Sequence, residues 1–254
     1  LICIIILTAV FFRFWDLKTI PGGLYPDEAM NGNNAVQALE HSSPDKSGFK
    51  VFYTDNNGRE GLFINLQALS IKAFGKSAMS LRLVSAIAGI LTVWAVYLLA
   101  KELYNREIAL ISSYLLAISF WHVNFSRIGF RAIIAPMLLT FAFYFLWRGL
   151  KTSDLFHFAI SGIFWGLGFY TYIAFRIAPL ILIFVLLAHW QTIKRDYDHD
   201  KYLYLRDKMV RGFALLMITA IFVFLPLGLY FLNNPQDFLG RTGQLSVFST
   251  GQPL

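Results

Sequence analysis

Seven runs of mostly apolar residues, joined by short polar links apart from one long gap, constrain this chain more than any motif does. A helix needs about 20 such residues to cross the hydrocarbon core of a bilayer. The runs are Leu1–Leu17, Met79–Leu99, Ile108–Phe125, Ile133–Trp147, Leu155–Ile173, Ile177–Gln191 and Gly212–Leu232, the fourth and sixth being short for a full crossing. Hydrophobic residues make up 57% of the chain and charged ones only 15%, where a soluble domain carries about a quarter. The sequence predicts an all-α, polytopic transmembrane bundle. Gly162 and Gly166 are spaced to let the fifth run approach a neighbouring helix closely.

The basic residues orient the bundle. Lys101 and Arg106, then Arg148 and Lys151, then Lys194, Arg195, Lys201, Arg206, Lys208 and Arg211 fall in alternate links and define one side. The opposite short links hold only Arg127, Arg131 and Arg176. The positive-inside rule assigns the first set to the cytoplasm. Trp15 and Trp121 then mark the outer interface, and Trp147 and Trp190 the inner one. The run from Lys194 to Arg211 reads as a solvated loop beside anionic lipid. The net charge of +7 fits anionic headgroups or an anionic substrate, and gives no support to nucleic acid as a partner. The single cysteine, Cys3, rules out a disulfide within the chain and a cysteine metal cluster. The chain begins apolar at Leu1 and stops in a polar segment, Asn233–Leu254, so it reads as an N-terminal fragment with a clipped first span. Leu1–Val10 could be a signal-peptide core, but no small-residue cleavage site follows.

The long gap, residues 18–78, lies on the outer side and is too long for a plain link. After the turn-rich Pro21-Gly22-Gly23 and Pro26, Asp27–Glu40 reads as a short polar helix. Glu60–Phe74, with Leu62, Leu66, Leu69 and Ala73 at helical spacing, suits a helix lying in the interface plane. On geometry alone both are a cap over the bundle.

Within this segment Asp27 and Glu28 are the first candidates for chemistry. Asp27 is equally an N-cap, and Glu28 a first-turn acid. Adjacent helical residues point about 100° apart, so the two carboxylates cannot share one task. Arg127, Arg131 and Arg176 stand on the side where basic residues are scarce. Arg127 with Arg131, and Tyr172 with Arg176, are four apart and would each share a helix face. Snorkelling explains any one of them, whereas three near a carboxylate fit an anion such as a phosphate. Arg13 is explained by pairing with Asp16 nearby. Glu60, beside Arg59, is either a site residue or a helix start. His122 and Asn124 fit an interfacial position. Gly75-Lys76-Ser77 looks like the end of a phosphate loop, but Ser70 replaces its first glycine. Neither a dinucleotide fingerprint nor an HExxH motif is present.

The ordered segments Tyr25-Pro26-Asp27-Glu28-Ala29, Gly58-Arg59-Glu60-Gly61-Leu62-Phe63, Leu81-Arg82-Leu83-Val84-Ser85-Ala86 and Phe125-Ser126-Arg127-Ile128-Gly129-Phe130-Arg131 resemble those of the GT-C membrane glycosyltransferases. That group includes the protein O-mannosyltransferases, the lipid A aminoarabinose transferase and their bacterial and archaeal relatives. The resemblance covers nearly the whole chain. It implies a GT-C bundle in a bacterial or archaeal plasma membrane, with its active site on the outer face. The implied reaction moves a sugar from a polyprenyl-phosphate carrier to a hydroxyl of a protein, lipid or glycan, with inversion. It implies Asp27 as general base and Glu28 as a holder of the acceptor or the local loop. Arg127, Arg131, Arg176 and Arg241 would hold the lipid phosphate, with Arg59, Glu60 and Tyr172 beside them. Several relatives carry a second acid after the third span, where this chain reads Arg131-Ala132-Ile133-Ile134-Ala135-Pro136. Glu60 is the acid available to replace it; the sequence assigns no cofactor, and a divalent metal is left open without support. Gly61 stands where many relatives carry proline. The rival class is a transporter or flippase for an anionic lipid-linked substrate, which should show internal repeats or ionisable residues near the midplane. The sequence has no obvious repeat, and its candidate charges gather at one face.

Overall fold

The computed structural model describes residues 1–40, 48–55 and 58–238. It is an all-α bundle with one small hairpin. Helix α1 (Ile2–Phe14) is followed by α2 (Pro26–Leu39), strands β1 (Phe52–Tyr53) and β2 (Arg59–Glu60), and α3 (Leu62–Phe74). Then come α4 (Ala78–Leu103), α5 (Arg106–Ile118), α6 (Phe120–Arg127), α7 (Ile134–Thr152), α8 (Leu155–Gly168), α9 (Ala178–Asp196) and α10 (His199–Asn233).

Among the described residues four helical stretches are long and apolar enough to cross a membrane: Ala78–Leu103, Arg131–Thr152, Ile173–Asp196 and His199–Asn233. The third expected span is broken, α5 and α6 meeting at a 56° bend. Helices α1 and α8 are apolar but shorter. The fifth expected span was to run on to Ile173; instead α8 ends at Gly168 and the chain turns through Phe169–Tyr172. The basic run 194–211, expected as a loop, is mostly the end of α9 and the first turns of α10. Its Lys, Arg, Leu and Tyr residues sustain a helix, and Arg206 pairs with Asp207 along it.

Polar groups turn inward and apolar ones outward, as a lipid solvent demands. Arg13 is fully buried. It does not meet Asp16, which lies past the end of α1 and accepts a hydrogen bond from the Thr19 hydroxyl. Arg13 instead donates to the carbonyls of Leu116 and Ala117 (3.4 and 3.0 Å) and approaches His122 Nδ1 at 2.7 Å. At the bend the Leu116 carbonyl still accepts the Ser119 N–H at 3.3 Å, while the Ala117 carbonyl takes its donor from Arg13.

Three apolar clusters join the helices. Ala9, Val93 and Ala117 join α1, α4 and α5. Phe63, Ala88 and Leu138 join α3, α4 and α7. Leu146, Phe158, Leu182 and Leu216 join α7 to α10. Both expected helices of the long gap are present and pack on each other and on the start of α4 through Ala35, Ile64, Ala68 and Leu81. On α3 the face holding Leu66 and Leu69 is exposed. The opposite face buries Gln67 and Ser70, which donate to the carbonyls of Leu81 and Ser80.

The hairpin was not foreseen. Gly58, at φ +77°, turns it back, and Phe52 packs on Tyr230 and Phe231 at ring distances of 5.2 and 5.3 Å. It thereby ties the α2–α3 cap to the end of α10. Tyr53 donates to Asn65 Oδ1 at 2.7 Å; burial pushes its phenol pKa up, so it stays a donor.

Candidate functional site

Helix α2 begins two residues earlier than an Asp27 cap requires. Pro26 takes the first helical position, which its fixed φ favours, and Tyr25 is the capping residue. Asp27 is therefore the second helical residue and Glu28 the third. Glu28 Oε2 accepts the Tyr25 backbone N–H at 3.2 Å. The two carboxylates part as the helical pitch dictates. Glu28 is fully buried, with Arg82 Nε 2.9 Å from its Oε1; it holds the local loop. Asp27 stays open, its side chain 45% exposed, and faces the buried Arg59 guanidinium at 3.6 Å.

Arg59 is fixed from behind. Its Nη1 donates to Asn31 Oδ1 at 3.0 Å, and Asn31 Nδ2 donates to the Gly129 carbonyl at 3.2 Å. A side chain at Gly129 would strike Glu28 Cγ at 2.8 Å and Gln67 Nε2 at 2.9 Å, so only glycine lets that carbonyl come near. One turn on, Asn34 donates to Asp55 Oδ2 at 3.2 Å. Asp27, Asn31 and Asn34 thus form a polar stripe along α2 against the hairpin.

Glu60, adjacent to Arg59 in β2, gathers a second set. Arg131 Nη1 lies 2.9 Å from its Oε2, and Arg176 Nη2 lies 3.9 Å from its Oε1. The Arg131 guanidinium sits 5.3 Å from the centroid of the Tyr172 ring, and Arg176 lies against Phe231 and Phe238 at 5.4 and 4.2 Å. Glu60 is not a helix start, since α3 begins at Leu62. Gly61 shapes the corner between them. Its N–H donates to the Val51 carbonyl at 2.8 Å, a bond proline would remove, and a Cβ there would lie 2.0 Å from the Lys50 carbonyl.

The structure brings Asp27 to Arg59, Glu60 to Arg131 and Arg176, and Tyr172 to Arg131. It separates Arg127 from them. Helix α6 ends at Arg127, Ile128 is extended, and Arg131 opens a 3-10 turn, so the four-residue spacing puts no shared helix face there. Tyr172 is likewise extended, before the 3-10 turn that holds Arg176, so no helix face joins those two either. Arg127 donates to the carbonyls of Phe12, Trp15 and Ile20. Arg241 lies outside the described residues. Gly75-Lys76-Ser77 is a helix cap, with Ser77 Oγ accepting the Ser80 N–H at 3.2 Å and Lys76 paired to Glu40.

Asn31 and Arg82 were not assigned roles from sequence. Asn31 carried a signal, four residues after Asp27 on a helix. Arg82 carried another, a lone charge in an apolar run, which needs a buried partner. A divalent cation needs several carboxylate or carbonyl oxygens. Among the described residues no three His, Cys, Asp or Glu side chains come together, Asp27 faces a guanidinium, and Glu60 is engaged by two arginines. That donor set does not fit a divalent ion.

A polytopic bundle capped by α2, α3 and a hairpin, with an acid and arginines collected under the cap, defines a multi-pass membrane protein of the GT-C type. The chain covers 98% of its own length on a crystal structure of the Archaeoglobus fulgidus oligosaccharyltransferase in the apo form, with a TM-score of 0.62 at 20% identity. That likeness concerns the fold. The chain belongs to the dolichyl-phosphate-mannose-protein mannosyltransferase family, whose model matches residues 62–230. It is also 29% identical over 132 residues, 51% of this chain, to the Bacillus subtilis (strain 168) protein named "Putative mannosyltransferase YkcB". The chain spans 18% of that protein and 34% of the oligosaccharyltransferase.

Proposed function

We propose that this chain forms the catalytic cap of a membrane glycosyltransferase, taking a sugar from a polyprenyl-phosphate carrier at the non-cytoplasmic face. The acceptor is a hydroxyl of a protein, lipid or glycan. The observation that carries the reading is the open carboxylate of Asp27 on the cap that also holds Arg59, next in sequence to the Glu60 cluster. In a single displacement the acceptor oxygen attacks the anomeric carbon and its proton passes to the Asp27 carboxylate. The bond from that carbon to the phosphate oxygen breaks, its electron pair leaving with the phosphate, and the configuration inverts. Arg131 and Arg176, with Tyr172 beside Arg131, stabilise in this reading the charge that develops on the phosphate.

Two features support a lipid-linked donor acted on by an enzyme. An apolar groove of about 550 Å³ along α10 reaches Phe231 and Phe238, the residues against which Arg176 lies. A transporter would use a broken span to line its path, whereas the Ala117 carbonyl freed at the α5–α6 bend is taken by Arg13. The test is transfer of radiolabelled sugar from a panel of polyprenyl-phosphate donors by the full-length protein in membranes. Asp27→Asn should insert normally and lose transfer. A well-inserted Asp27→Asn protein working at the wild-type rate would overturn the assignment.

A further inference from the structure

Residues 15–25, which join α1 to the helix bearing Asp27, form neither helix nor strand. Its own backbone hydrogen bonds close a turn over residues 14–20, from the Leu17 N–H to the Phe14 carbonyl and from those of Thr19 and Ile20 to that of Asp16, but they do not fix the Pro21-Gly22-Gly23 stretch to the rest of the protein. Two buried arginines from distant parts of the chain do so. Arg127, at the end of α6, donates through Nη1 to the Phe12 carbonyl at 2.7 Å and through Nη2 to those of Trp15 and Ile20 at 2.6 and 3.0 Å. Arg82, in the second turn of α4, donates through Nη1 to the Leu17 carbonyl at 3.1 Å and through Nη2 to that of Gly23, while its Nε holds Glu28. Five carbonyls between Phe12 and Gly23 are thus taken by two guanidinium forks, and the last contact of Arg82 falls on the residue that follows Asp27.

We infer that Arg127 and Arg82 are positioning residues for Asp27, holding the α1–α2 link as a fixed bracket, and that Arg127 is not a ligand of the donor phosphate. The inference rests on the proposed role of Asp27 as base. The planar fork is what the job requires: an ammonium at the same place keeps the charge but cannot span carbonyls that converge from both ends of the link. Displacing a catalytic group by about 1 Å costs on the order of 100-fold in rate.

The experiment uses the full-length protein in nanodiscs. Arg127→Lys should lower kcat about 100-fold and change the donor KM by no more than about twofold, the signature of a misplaced catalytic group. Gly23→Ala disturbs the link without touching either arginine. Gly23 sits at φ +74° with open space around it, so the change acts through the backbone alone, and it should lower kcat in the same manner. A readout independent of activity comes from spin labels at Leu24→Cys and Leu69→Cys, both exposed positions, in a cysteine-free background that includes Cys3→Ser. Their distance distribution should be narrow with Arg127 and broad with Arg127→Lys. A raised donor KM at unchanged kcat would make Arg127 a phosphate ligand and overturn the inference, as would an unbroadened distribution or a fully active Gly23→Ala protein. If no donor supports transfer by the wild type, the proposed function fails, and the spin-label arm alone decides whether the bracket exists.

Discussion

Glu28 and Arg82 form an ion pair at 2.9 Å with both side chains shut off from solvent, 54 residues apart in the chain. Such a pair is costly to assemble and more costly to break, because removing one partner strands a desolvated charge. Here the charges also carry backbone contacts: Glu28 takes the Tyr25 N–H, and Arg82 the carbonyls of Leu17 and Gly23. Glu28→Ala should therefore destabilise the protein by about 3–5 kcal/mol, read by denaturant unfolding in micelles. A loss below about 1 kcal/mol, the ordinary size of a point-mutant effect, would mean that the pair does not hold the loop.

Asp27 should behave in the opposite way. Its side chain is half exposed and its contact with the buried Arg59, at 3.6 Å, is long for an ion pair, so it adds less to stability than the fully buried pair. Asp27→Asn should unfold within about 1 kcal/mol of the wild type, while sugar transfer falls by about 10²–10⁴-fold, the usual contribution of a general base. The two adjacent acids are thus told apart by paired measurements of unfolding and transfer. Matching losses of stability in Asp27→Asn and Glu28→Ala would make Asp27 part of the scaffold.

Hydropathy and spacing carried the helices because lipid leaves a chain few options. The apolar helices, the two helices of the long gap and the close approach predicted at Gly162 and Gly166 all depend on local composition, although among the described residues only four of the seven expected spans are long enough to cross as single helices. Readings that assumed a continuing helix fared worse. The four-residue spacing of Arg127 and Arg131 said nothing once α6 ended at Arg127, and Tyr172 reached Arg131 through packing. The hairpin of Phe52–Tyr53 and Arg59–Glu60 is two residues to a strand, too short to leave a period in the sequence. It forms because Phe52 finds the end of α10 and Gly61 permits the corner, both of them tertiary facts. Arg82 was legible as a charge needing a partner, but nothing local named Glu28.

Arg131 is bonded to Glu60 at 2.9 Å and lies by the ring of Tyr172. If its guanidinium also serves the donor phosphate, Arg131→Gln removes a charge-assisted hydrogen bond, worth about 1.5–3 kcal/mol. The KM for a short-chain polyprenyl-phosphate sugar should then rise by about 10- to 100-fold. Steady-state transfer against donor concentration checks it. An unchanged KM would leave Arg131 as the partner of Glu60 and nothing more.

The closest helix packing lies away from the site yet bears on it. A Cβ at Gly162 of α8 would stand 1.9 Å from Thr219 Oγ1 and 2.4 Å from the Leu216 carbonyl of α10, and one at Gly166 would stand 2.7 Å from the Ala220 carbonyl. The Thr219 hydroxyl can be cut away, but the carbonyls are helix backbone and move only if α8 and α10 part. Gly162→Ala should cost about 1–3 kcal/mol as overpacking. The end of α10 carries Tyr230 and Phe231, on which Phe52 and the hairpin rest, and the hairpin carries Arg59 and Glu60. A displaced α10 should therefore weaken donor binding as well as stability. Adding Thr219→Ala to Gly162→Ala relieves the shorter contact and leaves the one at 2.4 Å, so rescue of unfolding stability should be partial. Complete rescue would mean that the backbones already have room to separate, and the coupling of the α8–α10 seam to the site would fall with it.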